Sequence, residues 1–105
     1  MATVAVCRTD EVPPDSALCK RLPGGLQVAI AQLGGSPSGF VAFENRCPHA
    51  QGPVGEGRLH NGSIVCPWHF FRFDLATGKP VGMESVMRLK RFPVSVSGGE
   101  IRIEV

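Results

Sequence analysis

The chain has 105 residues, 43% of them apolar and 19% charged, which suits one folded domain with a single hydrophobic core. Glycine and proline number 13 and 9, which predicts many turns but stays below the share typical of a disordered chain. The formal charge of +2 is too small and too scattered along the sequence for a nucleic-acid-binding surface.

Short stretches in which polar and apolar residues alternate predict an all-β fold of antiparallel strands, and helical periodicity is nearly absent. In chain order, the strands predicted for the first 44 residues are 3–8, 17–22, 26–33 and 40–44. Leu26, Val28 and Ile30 are expected to share one face of the third strand. The glycine-rich stretch 34–39 is predicted to form the hairpin connection that follows it.

Between Asn45 and Ser85 the sequence becomes rich in glycine and proline and contains all three histidines. Only short strands are predicted there, at 63–66 and 71–74. The chain closes with a hairpin of strands 94–97 and 101–105, turned at Gly98-Gly99. We therefore predict a single domain, 1–105, in which a loop-built segment at 45–85 is inserted into a scaffold of residues 1–44 and 86–105.

Membrane and disulfide classes are disfavoured by the same sequence. No apolar run reaches the roughly 18 to 20 residues of a spanning helix. The first 22 residues carry Asp10, Glu11 and Asp15 where a signal peptide would be apolar. We therefore expect a soluble cytoplasmic protein with no membrane partner. In that compartment, four cysteines indicate metal or redox chemistry more than a disulfide scaffold.

Two of the cysteines are paired with histidines in the sequence. Cys47 and His49 form a C-x-H pair and, after sixteen further residues, Cys66 and His69 form a C-x-x-H pair. Each loop therefore offers one thiolate and one imidazole, whereas a common zinc finger groups its two cysteines and its two histidines separately. The mixed pairs suit a two-iron cluster, because each loop must reach both metals if cysteines bind one iron and histidines the other.

The motif, with Gly52-Pro53 after the first pair and FRFDLATG at 71–78 after the second, resembles the Rieske [2Fe–2S] proteins. It is similar above all to the small soluble Rieske ferredoxins and to the small subunit of assimilatory nitrite reductase. The resemblance implies a Rieske-type antiparallel β-sandwich with an inserted cluster-binding subdomain and one [2Fe–2S] cluster. It also implies that Cys47 and Cys66 bind the inner iron, while His49 and His69 bind the outer iron near the surface.

The resemblance predicts a reduction potential at the low end of the Rieske range, which runs from about −150 to +300 mV against about −400 mV for plant-type ferredoxins. High-potential Rieske proteins carry a disulfide between the loops and Ser and Tyr donors to sulfur. Here Gly52 and Trp68 stand at the two extra cysteine positions, Phe71 stands at the serine position, and tyrosine is absent. One departure from the family is Phe70, where glycine usually follows the second histidine, and it is expected to shift the local turn or shield His69.

Other chemistry-bearing residues have simpler interpretations. A structural zinc site is the alternative for the four candidate ligands, because zinc accepts two cysteines and two histidines. His60 is interpreted as a solvated turn residue, and Cys7 and Cys19 as small buried hydrophobes on strands, without a disulfide. Met83 and Met87 are interpreted as packing residues.

The resemblance implies an electron carrier rather than an oxygenase, because a mononuclear iron site needs two histidines and a carboxylate, and only His60 remains. The first prediction is a one-electron ferredoxin, monomeric when free, that shuttles between a flavin-containing reductase and a terminal oxygenase. The alternatives are a small subunit bound to a nitrite reductase large subunit, and a zinc-stapled interaction module. The basic run Arg88, Lys90 and Arg91 is interpreted as a solvated strand face, with steering of an acidic redox partner as the alternative.

Overall fold

A computed structural model describes residues 3–35, 38–47, 52–67, 72–82 and 87–105. The strands in this part of the chain are β1 (Thr3–Arg8), β2 (Leu18–Arg21), β3 (Gln27–Gln32), β4 (Phe40–Glu44), β5 (Arg58–His60), β6 (Ser63–Val65), β7 (Arg72–Asp74), β8 (Arg91–Phe92), β9 (Val94–Ser97) and β10 (Glu100–Glu104). The helices described are single 3₁₀ turns, at Thr9–Glu11 and Val54–Glu56. The all-β prediction is confirmed.

The strands form three antiparallel sheets with the orders β1-β10-β9, β2-β3-β4-β8 and β5-β6-β7. The third sheet lies wholly within the segment 45–85. The other two sheets are built from residues before Asn45 and after Lys90, and one of them pairs β1 with the last strand of the chain. The small third sheet is therefore contributed by the middle of the sequence, whereas the two ends of the sequence make the other two sheets.

The central strand β3 of the four-stranded sheet is buried on both of its faces. Residues 28–31 of β3 all have 0% of their surface exposed. On one side, Val28 and Ile30 belong to a cluster of buried residues that includes Cys7, Leu22, Ala42, Phe92, Ile101 and Ile103. On the other side, Ala29 and Ala31 belong to a cluster that includes Phe43, Cys47, Val54, Ile64, Cys66 and Phe73.

Two sequence-based expectations are corrected by this arrangement. The prediction of a single hydrophobic core is wrong, because the buried hydrophobic residues form two clusters separated by the central sheet. The half-buried character predicted for β3 is also wrong, although Leu26, Val28 and Ile30 do share one side, as predicted. Small Ala29 and Ala31 pack the opposite face, because a second sheet covers it.

The sequence pattern missed β5 and β8, which have three and two residues, too few to show an alternation. His60 was predicted in a turn, but it is the last residue of β5, and the turn follows at Asn61-Gly62. Asn61 and Gly62 have φ angles of 48° and 79°, values that Asn and Gly tolerate best. The exposure predicted for His60 is confirmed.

The remaining cysteines follow the prediction only in part. Cys7 is buried, with 8% of its surface exposed, as expected, and Cys7 and Cys19 are not joined by a disulfide. Cys19 is exposed instead, because β2 is the edge strand of its sheet and has no neighbour on its outer side. Met87 is half-buried, in agreement with a packing role, whereas Met83 lies outside the described residues.

The basic run near the C-terminus is exposed, as predicted for a solvated surface. Arg88, Lys90 and Arg91 all face solvent, and Arg91 belongs to β8. The Lys90 ammonium lies 5.7 Å from the centre of the Phe92 ring, within the range of a cation–π contact.

Candidate metal centre

The two cysteines of the C-x-H and C-x-x-H pairs are brought into one cluster of buried side chains. Cys47 and Cys66 both have 0% of their surface exposed, and they share the apolar cluster beneath the third sheet. His49 and His69 lie outside the described residues, so the full ligand set stays a prediction.

The first cysteine loop is held by backbone hydrogen bonds at both of its ends. The Asn45 amide donates to the Gln27 carbonyl over 2.9 Å, which fixes the exit from β4 against β3. The Cys47 amide donates to the Gly52 carbonyl over 2.8 Å and closes the loop across residues 48–51. The Cys47 backbone is therefore fixed by bonds that do not depend on its side chain.

Asn45 also anchors the 3₁₀ turn that follows this loop. Its Oδ1 accepts a 2.7 Å hydrogen bond from the amide of Gly55, ten residues later. A Cβ added at Gly55 would lie 2.7 Å from the Ala29 Cβ and 2.9 Å from both the Asn45 Oδ1 and the Cys19 Sγ. The turn therefore packs against β2 and β3 with no room for a larger residue.

Gly57 makes the next close approach. A Cβ added there would overlap the Val65 carbonyl oxygen, far inside the contact distance of a carbon and an oxygen atom, and Val65 immediately precedes Cys66. Asn45, Gly55 and Gly57 were not predicted to have a role in the site. The available signal was the G-x-G spacing at 55–57 inside a segment already suspected of holding a site.

The second cysteine follows the end of β6, and Val65 of β6 pairs with Arg72 of β7. A turn after β7 is held by Asp74, whose Oδ1 accepts hydrogen bonds from the amides of Ala76 and Thr77 over 2.7 and 3.3 Å. Gly78 ends this turn with a φ of 78°.

Gly78 also ties the third sheet to the segment that leads into β8. Its carbonyl accepts a 2.8 Å hydrogen bond from the amide of Leu89. This bond joins the FRFDLATG stretch to buried Leu89, which belongs to the same cluster as Cys47 and Cys66. The FRFDLATG stretch therefore acts structurally through a turn and its contact with the chain near β8.

The environment of the buried thiols suits ligands of a metal centre. Around Cys47 and Cys66 the cluster is apolar, and such surroundings would shield a metal centre bound by the two cysteines from water. Two buried thiols, neither in a disulfide, on loops fixed by backbone bonds therefore fit the cysteine half of an iron–sulfur site.

The other two thiols are held in the neutral form. Cys19 is exposed as a residue, but its thiol is partly covered beside Gly55, and this partial burial raises its pKa, with the nearby negative charge of Glu56 adding to the effect. Burial likewise raises the pKa of Cys7, Glu11 adds to the rise, and Lys20 partly opposes it. Neither cysteine has a histidine close to it in the sequence.

Comparison with known proteins identifies the family. The family model of the Rieske [2Fe-2S] domain matches residues 2–93 of this chain. The chain belongs to the Rieske [2Fe–2S] domain family. The cofactor of this Rieske domain is therefore a [2Fe–2S] cluster.

Its relatives include ferredoxins of dioxygenase systems. The ferredoxin component of the p-cumate 2,3-dioxygenase system of Pseudomonas putida is 36% identical over 103 residues, covering 97% of this chain and 85% of its own length. The ferredoxin of carbazole 1,9a-dioxygenase from Nocardioides aromaticivorans is 30% identical with a TM-score of 0.82, covering 98% of this chain and 97% of its own. This Rieske domain is therefore an electron-transfer component and not itself a catalytic enzyme.

Two further solved structures share the fold of this chain. A chain from the complex of reduced oxygenase and oxidised ferredoxin in carbazole 1,9a-dioxygenase is 28% identical, with a TM-score of 0.83, and covers 96% of this chain and 100% of its own. An NADH-dependent nitrite reductase small subunit from Mycobacterium tuberculosis has a TM-score of 0.81 at 19% identity, covering 97% and 93%, and shares the fold. In the described part of the chain, no helix is long and apolar enough to cross a bilayer.

Proposed function

We propose that the protein is a one-electron ferredoxin that accepts electrons from a flavin-containing reductase and delivers them to a terminal oxygenase. The observation that carries the proposal is the pair of fully buried cysteines, Cys47 and Cys66, neither in a disulfide, within a domain whose relatives are ferredoxin components of dioxygenase systems. The known complex between a related ferredoxin and its oxygenase supports an oxygenase as the partner.

Four residues are proposed to hold the cluster. Cys47 and Cys66 would bind one iron through their thiolates, and His49 and His69 would bind the other through neutral imidazoles. When bound, the cluster supplies reversible one-electron chemistry at a potential that the sequence places near the low end of the Rieske range. The apolar side chains around the cysteines exclude water from the thiolate side.

An EPR-monitored redox titration of the purified protein near neutral pH tests the cluster. We expect a Rieske-type signal on reduction, with a midpoint near about −150 mV. A midpoint well above 0 mV would refute the low-potential assignment and point to a quinol-type partner. A colourless protein that contains zinc and gives no signal would refute the cluster and support the zinc-stapled module.

Substitutions separate the ligands from the other cysteines. Cys47→Ser and Cys66→Ser should abolish the EPR signal, whereas the matched change Cys19→Ser should leave it intact, because Cys19 lies at an edge strand outside the buried cluster. His49→Cys or His69→Cys should lower the potential in molecules that retain a cluster, because a thiolate adds negative charge to the centre. An unchanged signal in Cys66→Ser would refute the assignment.

Native gel filtration distinguishes the shuttle from a fixed subunit. A ferredoxin that meets its partners through small, transient contacts should elute alone as a monomer. Co-elution with a nitrite reductase large subunit would favour the second candidate, which shares this fold at low sequence identity. Reduction of the protein by a flavin reductase, followed by oxygenase turnover that depends on it, would support the shuttle.

A further inference from the structure

One exposed row of side chains crosses the third sheet next to the second cysteine. Arg58 of β5 pairs with Val65 of β6, and Val65 pairs with Arg72 of β7. The Phe73–Pro80 bridge and the hydrogen bond from the Val81 amide to the Arg72 carbonyl, 2.9 Å long, extend the register to Val81. Directly paired residues project from the same face of an antiparallel sheet, so these four side chains form one row, named here the Arg/Val row.

The Arg/Val row faces solvent, and the opposite face of the sheet carries the core. Both arginines are exposed, Val65 is half-buried and Val81 is 42% exposed. Ile64 and Phe73, which point to the other side, have 0% exposure. Strands lie about 4.8 Å apart, so the two arginine Cα atoms are roughly 10 Å apart and the whole row spans roughly 15 Å.

The charges of the two arginines are not neutralised along the row. Among the residues that the structure describes, neither Arg58 nor Arg72 forms a salt bridge. The neighbours of Arg58 in the row are Ser16 and Val65, which carry no charge. In the next row of the sheet, the Oδ1 atom of Asp74 accepts hydrogen bonds from two backbone amides of its own turn.

Segment 45–85, which carries the cluster motif, contains four Lys and Arg residues against three Asp and Glu, so the positive charge on this sheet is local to the two arginines. A local charge of this kind orients a protein during a diffusional encounter.

We propose that the Arg/Val row is a docking surface for an acidic patch on the redox partner, one that presents carboxylates to Arg58 and Arg72 and an apolar group to Val65 and Val81. The inference rests on the proposed function, because it assumes that a redox partner docks near the cluster. Val65 immediately precedes Cys66, so a partner seated here lies beside a proposed cluster ligand.

The side chains suit this role. Arginine binds carboxylates through paired hydrogen bonds and is enriched at interfaces. Valines between the arginines add apolar area without adding charge. By contrast, Arg102 in the first sheet is already paired with Glu100, their charged groups 2.9 Å apart, and lies among the strands of the scaffold. Arg102 and Arg8, which lies on the neighbouring strand β1, therefore serve as the matched control positions.

Charge reversal with small redox probes measures the local field at the cluster. The reduced, cluster-loaded protein is mixed in stopped flow with the anion ferricyanide or the cation tris(phenanthroline)cobalt(III). At an ionic strength of about 10 mM, Arg58→Glu with Arg72→Glu should slow the oxidation of the cluster by ferricyanide roughly tenfold or more and accelerate its oxidation by the cobalt complex. A change of cluster potential would shift both rates in the same direction, so opposite shifts identify electrostatics.

The control variant, Arg8→Glu with Arg102→Glu, changes the net charge by the same amount. It should alter either rate by less than about threefold, because Arg8 and Arg102 lie on the first sheet, away from the cluster-binding loops that the probe contacts. Equal slowing of ferricyanide in both double variants would overturn the proposal, because net charge alone would then explain the effect. If the glutamate variant loads no cluster, Arg58→Gln with Arg72→Gln provides the same comparison with a smaller effect.

An octaglutamate peptide tests docking itself. It should protect the wild type and the control variant from ferricyanide, and it should not protect the protein that lacks Arg58 and Arg72. Equal protection of all three proteins would overturn the proposal. Failure of the wild type to show any cluster signal would instead refute the proposed function, so the two failures are distinguishable.

Discussion

Gly57 is the position where the smallest change should do the most damage. Its backbone has φ −78° and ψ 178°, a conformation open to any residue, so alanine would cause no backbone strain. The obstacle is the close approach alone, because an added Cβ would lie far inside the contact distance of the Val65 carbonyl oxygen. A methyl group at Gly57 must therefore push apart the end of β6 and the 3₁₀ turn, next to Cys66.

The magnitude follows from the kind of atom that blocks the methyl. Overpacking a well-filled site costs about 1 to 3 kcal/mol when side chains can yield, and more when they cannot. Here the obstacle is a backbone carbonyl in a paired strand, so we expect about 3 kcal/mol or more. In a domain of this size each kcal/mol lowers the melting temperature by roughly 4 °C or more, so Gly57→Ala should lower it by about 12 °C.

The assay is thermal unfolding of the cluster-loaded protein, followed together by far-UV circular dichroism and by the visible absorbance of the cluster. Both signals should shift downwards in Gly57→Ala, because the same displacement loosens the strand and moves Cys66. Gly34→Ala is the control, since no atom lies within 4 Å of an added Cβ there and its φ is not positive. A Gly57→Ala protein that melts within about 2 °C of Gly34→Ala would refute the argument.

Three further changes test the contacts around the site. Asn45→Ala removes the acceptor of the Gly55 amide and should cost about 1 to 3 kcal/mol in apparent thermal stability, while Asn45→Asp keeps an acceptor and should recover most of it; equal melting of the two would contradict the anchor. Phe73→Ala, at a position with 0% exposure, should cost about 3 to 5 kcal/mol by denaturant titration, and Phe73→Leu clearly less. Because the folded protein raises the pKa of Cys7 above 9.0, its contribution to stability is complete below pH 9 and declines as the unfolded thiol ionises above it. Melting temperatures from pH 8 to 11 should therefore fall less steeply in Cys7→Ala, and parallel curves would exclude this coupling.

The sequence predicted the elements whose information is local. The strands at 40–44 and 94–97 have the predicted bounds, because their alternation is long enough to read and turn residues precede each. Spacing alone also selected Cys47 and Cys66, which the fold brings into one cluster. These features depend on a few consecutive residues or on fixed distances along the chain.

The features that were missed depend on which strands become neighbours. The second buried face of β3 exists because another sheet covers Ala29 and Ala31, and no pattern within β3 reports that sheet. The anchor between Asn45 and Gly55 spans ten residues, and the Arg/Val row unites residues from 58 to 81 through strand register. Register is set by the packing of the whole sheet, so it could not be derived from any one segment.

The site thus combines two sets of residues with different tolerance to change. The groups that position the cysteines are backbone amides, glycines and buried side chains that also hold the central sheet, so altering them costs fold stability and site geometry together. The Arg/Val row, by contrast, is exposed and makes no salt bridge within the described residues, so substitutions there should change stability by only about 0.5 kcal/mol. In the proposed docking, substitutions can therefore act through the exposed side chains of Arg58 and Arg72. Val65 belongs to both sets, because its carbonyl lies against Gly57 and it immediately precedes Cys66, so a substitution there should couple to the cysteine loop and its effects should not be additive.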